Sequence, residues 1–119
     1  MIAREFTFDT PAPRNASKPA VAWRGPALAQ NGEWETALRV ARRRLRLDSD
    51  DIGALEVIAQ ALVALGRAEE SLFVIRSLLR LNPPEPAYEL WRAAALQTMG
   101  RYSEALTSLS RAHGLYREG

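Results

Sequence analysis

Hydrophobic positions recur along this chain with a period of 34 residues. Ala27, Ala61 and Ala95 lead each cycle, followed one step later by Leu28, Leu62 and Leu96. Gly32, Gly66 and Gly100 come next, then Leu38, Leu72 and Leu106, then Leu47, Leu81 and Leu115. These five columns hold the same residue in all three cycles. Within a cycle the apolar residues fall three and four apart, the spacing of a helix that buries one stripe. In the second cycle one stripe runs Leu55, Ile58, Ala59, Leu62 and Leu65. A second stripe, Leu72, Ile75, Leu78 and Leu79, begins after Gly66. The pattern predicts two helices per cycle, joined at the glycine, which takes a left-handed backbone without steric penalty.

The third cycle reads likewise, with Tyr88, Trp91, Ala95, Leu96 and Met99 before Gly100, and Leu106 and Leu109 after it. The first cycle has a clear second helix through Trp34, Leu38, Ala41 and Leu45. Its first helix carries Gly25-Pro26, so it is expected to begin near Pro26 or to kink there. Between the second and third cycles stands Asn82-Pro83-Pro84-Glu85, where Asn82 is the expected helix cap. Ser49 or Asp50 is the expected cap one cycle earlier.

A fixed period of this length marks a stack of helix pairs, because one pair cannot bury its apolar face alone. The expected fold is all-α: a right-handed α-solenoid of three helix pairs, residues 18–51, 52–85 and 86–119. Residues 1–17 stand apart as an extended N-terminal arm, with two prolines and an alternation of Phe6 and Phe8 with polar residues. Those two phenylalanines are candidate anchors, in the chain's own groove or on a neighbouring molecule.

The repeats resemble the tetratricopeptide repeat. The resemblance rests on the 34-residue period and on small residues where the two helices of each pair cross. These are Gly25, Ala59 and Ala93 on the first helices and Ala37, Ser71 and Ala105 on the second. Glu89 and Arg92 depart from the pattern, since both stand where the family prefers apolar residues. A rotated third-unit helix, with Tyr88 and Trp91 turned inward, is the expected consequence. The resemblance implies a concave groove lined by the first helices. It places Trp23, Val57 and Trp91 in one column, beside Gln60, Val63, Leu90, Ala94 and Gln97. Such a groove suits a helix or an extended peptide of a protein partner. The positions of the family's carboxylate-gripping clamp hold Ala22, Pro26, Val57, Ala87 and Trp91, none of which grips a carboxylate.

Charge adds a second candidate. Formal net charge is only +2, so the field of the whole molecule is weak and nucleic acid is not the expected ligand. Yet Arg39, Arg42, Arg43, Arg44 and Arg46 crowd one helix. They form a solvated outer face or a patch for phosphate or an acidic partner.

Catalytic chemistry has few residues to work with. The chain has no cysteine and one histidine, His113, so thiol catalysis, thiolate metal sites and nucleophile–base triads lack their usual residues. Asp48-Ser49-Asp50-Asp51-Ile52-Gly53 resembles a calcium loop only faintly, because Ala59 stands where a bidentate glutamate is needed. No cofactor is expected, nor a membrane span or a secretory signal. Without cysteine a reducing, cytoplasmic setting fits.

The expected function is non-catalytic protein–protein interaction, as an adaptor or accessory subunit of a larger bacterial-type assembly. Association through an uncapped third repeat, with another copy or another subunit, is a further expectation. The alternatives are acidic-partner or nucleic-acid binding through the Arg39–Arg46 helix, and regulation of an enzyme on another chain.

Overall fold

The computed structural model describes residues 23–82 and 84–118. Phe6 and Phe8, and the arm they were assigned to, lie outside the described residues. Six helices follow one another: α1 (Gly25–Gln30), α2 (Trp34–Leu47), α3 (Ile52–Ala64), α4 (Ala68–Leu81), α5 (Pro86–Thr98) and α6 (Tyr102–Glu118). No strand occurs among the described residues. The helices pair as α1–α2, α3–α4 and α5–α6, as the period requires.

Each pair turns at its glycine by one mechanism. Gly32, Gly66 and Gly100 have φ of 75°, 79° and 78°, a left-handed backbone that glycine adopts most readily. The amides of Glu33, Arg67 and Arg101 donate back to the carbonyls of Leu28, Leu62 and Leu96 at 2.8–2.9 Å. The glycine amides donate to Ala29, Val63 and Gln97 at 3.0–3.1 Å. This double closure satisfies carbonyls the helix would otherwise leave open. It also makes the leucine column and the glycine column parts of one motif.

The crossing positions are buried as their size demands. Ala37, Ala59 and Ser71 are fully buried, and Ala93 and Ala105 nearly so. The helix backbones approach closely there, and a larger side chain would force them apart. Central α3 touches α1, α2, α4 and α5, so it is apolar nearly all round. First helices touch the first helices of the next unit, whereas the backbones of α2, α4 and α6 stay apart among the described residues and only side chains reach across, as Arg42 does to Glu70. The stack is therefore tight on the first-helix side and gapped on the second-helix side.

Two capping expectations are corrected. Asp51, not Ser49 or Asp50, caps α3, accepting from the Ala54 amide at 3.0 Å. Asp48 instead accepts from the Asp50 amide within the turn. Asn82 does not cap α5: it is the C-cap of α4, α5 begins at Pro86, and the Asn82 side-chain amide donates to the Tyr88 hydroxyl at 2.9 Å. Proline disfavours helical geometry in the residue before it, so helix entry is delayed past the cap position that Asn82 offered. The α1 expectation agrees with the structure, since Pro26 sits in the first turn of a helix that starts at Gly25.

Candidate functional site

The first-helix side holds an open cleft of about 360 Å³, lined by Trp23, Pro26, Ala29, Gly53, Val57 and Gln60 among others. Trp23 is its most constrained wall. Its ring lies so close over Gly25 that a β-carbon there would collide with it. The Arg44 guanidinium lies over the same ring, 4.6 Å from its centre, and donates to Asp51 at 2.7 Å. Since Asp51 also caps α3, one chain of contacts ties the entry of α1 to the ends of α2 and α3. Cation–π contact and ion pair together fix the tryptophan that forms the cleft wall.

The remaining groove residues divide by exposure. Val57 is only 3% exposed and acts as a backing wall more than a contact surface. Gln60, Val63 and Ala94 are half-buried, while Leu90 and Gln97 are exposed. Trp91 is half-buried, its ring tilted against Tyr88 at 5.5 Å between centres. The structure thus brings Trp23, Val57 and Gln60 onto one cleft.

Tyr88 is the joint between the second and third units. It is fully buried among Leu55, Ala59, Ile75 and Leu78. Its hydroxyl donates to Glu56 at 2.6 Å and accepts from Asn82. Burial, reinforced by the Glu56 carboxylate, pushes the phenol up to about 12. Tyr88 is turned inward as expected, but the expected rotation of α5 is corrected. The helix keeps the register of α3, with Glu89 buried at 7% exposure in the place of Leu55 and Trp91 only half-buried where Val57 is buried.

Across the third unit the pattern of burial changes. Ala41 and Ile75 are buried, but the corresponding Leu109 is 43% exposed. Leu38 is 3% exposed, Leu72 half-buried, and the corresponding Leu106 65% exposed. Tyr102 is exposed where Ala68 is buried. In the earlier units Leu38, Ala41, Leu72 and Ile75 pack into clusters that hold residues of the next first helix. Two polar atoms sharpen the contrast. Glu89 and Ser108 stand one period after Leu55 and Val74, which pack into the cluster that holds Tyr88. The Glu89 Oε1 and Ser108 Oγ atoms are both buried without a hydrogen-bond partner. Buried polar atoms of this kind normally find partners.

The arginines of α2 are exposed, but not all are free. Arg44 is committed to Asp51 and Trp23, and Arg42 lies 3.6 Å from Glu70. Arg39, Arg43 and Arg46 form an exposed stripe, with no ion pair among the described residues. No described helix is long and apolar enough to cross a membrane.

These observations define a short helical-repeat scaffold whose distinguishing features are surfaces. The chain belongs to the bacterial transcriptional activator domain family, which matches residues 9–118. No curated protein matches the chain. The match places it among helical domains of transcription activators, a role that composition and periodicity did not reveal. Trp23's bracing by Arg44, the Tyr88–Glu56–Asn82 joint and the open face of α6 were not visible in the sequence as contacts. The departures at Glu89 and Arg92 were the available signals.

Proposed function

We propose that this domain is a non-catalytic protein-interaction module of a bacterial transcription activator, with repeats of the tetratricopeptide type. The observation that carries the reading is the outer face of the third unit. There Tyr102, Leu106 and Leu109 are exposed at positions that the earlier units cover. Unpartnered polar atoms of Glu89 and Ser108 lie buried in the same unit. Exposed apolar side chains in register on one helix suit a protein partner. Peptide contact through the Trp23–Val57–Gln60 cleft is a second element of the same reading. A cytoplasmic place fits a domain of transcription activators.

One observation favours the alternative of nucleic-acid or acidic-partner binding: the exposed stripe of Arg39, Arg43 and Arg46. Its weakness is the neutralisation of neighbouring Arg42 and Arg44 by Glu70 and Asp51. Site-specific photo-crosslinking in the native cell separates the two readings. A crosslinker at position 106 should yield protein adducts, while one at position 43 yields none with nucleic acid. Nucleic-acid adducts at 43 that disappear with added salt, with nothing at 106, would reverse the assignment.

A further inference from the structure

The gaps on the second-helix side are two copies of one cleft. The first lies between α2 and α4 over α3, lined by Arg42, Leu45, Ile58, Leu62, Glu69 and Glu70 among others. The second lies between α4 and α6 over α5, lined by Arg76, Leu79, Arg92, Leu96, Arg101 and Glu104 among others. A shift of 34 residues converts Arg42, Leu45, Ile58, Leu62 and Glu70 into Arg76, Leu79, Arg92, Leu96 and Glu104. The framework is shared, and its charge is inverted. The first cleft has one more acid than base, the second two more bases than acids.

One substitution accounts for one of the three charges by which the linings differ; Ser103 in place of Glu69 and Arg101 in the second lining account for the other two. Ile58 is a core residue, 3% exposed, in the first copy. In the second copy its place is taken by the half-buried Arg92. A half-buried guanidinium that shares its cleft with Leu79, Leu96 and two further arginines is costly to desolvate without an anion. Glu104 does not supply that anion fully. It accepts two hydrogen bonds from Arg101, at 2.7 and 2.8 Å, and so is largely engaged. The Arg101 bond holds its carboxyl below the ordinary carboxylate range, and the Arg92 charge adds to the effect. The preceding unit has the same pair, Arg67 with Glu70, so this pairing is part of the repeat. There Arg42 also approaches Glu70. Among the described residues, Arg76 and Arg92 have no ion-pair partner.

We propose that the cleft between α4 and α6 is a binding site for a small oxyanion of the phosphate class. The cleft is the more enclosed copy and holds about 90 Å³, against about 440 Å³ for the first, which suits a single compact ion. Arg92 contributes the floor contact and Arg76 the wall, while Arg101 is positioned by Glu104. Planar guanidinium groups match the paired oxygens of such an anion. The apolar sides, Leu72, Ile75, Leu79 and Leu96, lower the local polarity and strengthen the attraction. This site is separate from the exposed α6 residues assigned to a protein partner.

The test is a titration of the isotope-labelled protein with inorganic phosphate, and separately with glycerol 3-phosphate, at constant ionic strength set with sodium chloride. Saturable amide shifts are expected around Arg92, Leu96 and Arg101. A response to inorganic phosphate alone identifies the free ion; a tighter response to the ester identifies a phosphorylated metabolite. Arg92→Ile installs the first cleft's residue and should weaken binding by about tenfold or more. Arg42→Ala, in the sibling cleft, should leave affinity unchanged. Absence of saturation with both probes, or equal affinity in Arg92→Ile, overturns the proposal. Should Arg92→Ile fail to fold, Arg76→Gln carries the same prediction.

Discussion

The inner faces of α2 and α6 descend from one pattern and meet different environments. Leu38 and Ala41 of α2 are sealed by α3, while Leu106 and Leu109 of α6 stand exposed at the same two steps of the repeat. Both pairs are aliphatic, so the difference lies in what packs on them: α3 on α2, and no described helix on the same face of α6. Burial in such an array is conferred by the neighbouring unit. The same residue type is therefore core in one unit and interaction surface in another.

The joint at Tyr88 gives the largest way to break this comparison, since it marks a covered face. Tyr88→Ala should remove about 3–5 kcal/mol of stability, because a fully buried ring leaves a cavity between two units. Urea denaturation measures it, and a loss no greater than that of an exposed residue would mean the units are not coupled there.

Tyr88→Phe is the smaller and sharper change. It should cost about 1 kcal/mol at neutral pH, for the lost bond to Glu56. Its signature is at alkaline pH. The folded phenol titrates near 12, above the roughly 10 of an unfolded tyrosine. The neutral phenol's contribution is therefore complete below about pH 10 and is lost as pH rises towards 12. The wild-type chain should lose stability over that window relative to the phenylalanine variant. Parallel pH profiles would show that the phenol ionises as freely in the fold as out of it.

Much of the fold was legible because the repeat states it three times. The central glycines, the leucines that accept the closing hydrogen bonds and the small crossing residues all follow from geometry that each pair must satisfy. Identity across units was a poorer guide to burial. Leu47 and Leu81 belong to an invariant column, yet Leu47 is 87% exposed. It is the last residue of α2. Caps were misread for a local reason. Asp48, Ser49, Asp50 and Asp51 all have capping chemistry, and only the backbone decides which one faces the free amides.

The candidate sites were legible in outline only. Trp23, Val57 and Gln60 were placed together by the resemblance, but bracing by Arg44 depends on side-chain reach between helices. Glu89 and Arg92 were visible as departures from an apolar pattern. Their surroundings, a face with unpartnered polar atoms and a cleft with inverted charge, required the helices to be set in space. A role in transcription had no signature in the residues and came from the family match alone.

The central claim, that α6 offers a surface where α2 offers core, is tested most directly by urea denaturation of the isolated protein carrying Leu38→Ala or Leu106→Ala. The first variant should lose about 2–5 kcal/mol and the second no more than about 0.5 kcal/mol. Equal losses at both positions would mean that Leu106 is packed as Leu38 is, and that the open face does not exist.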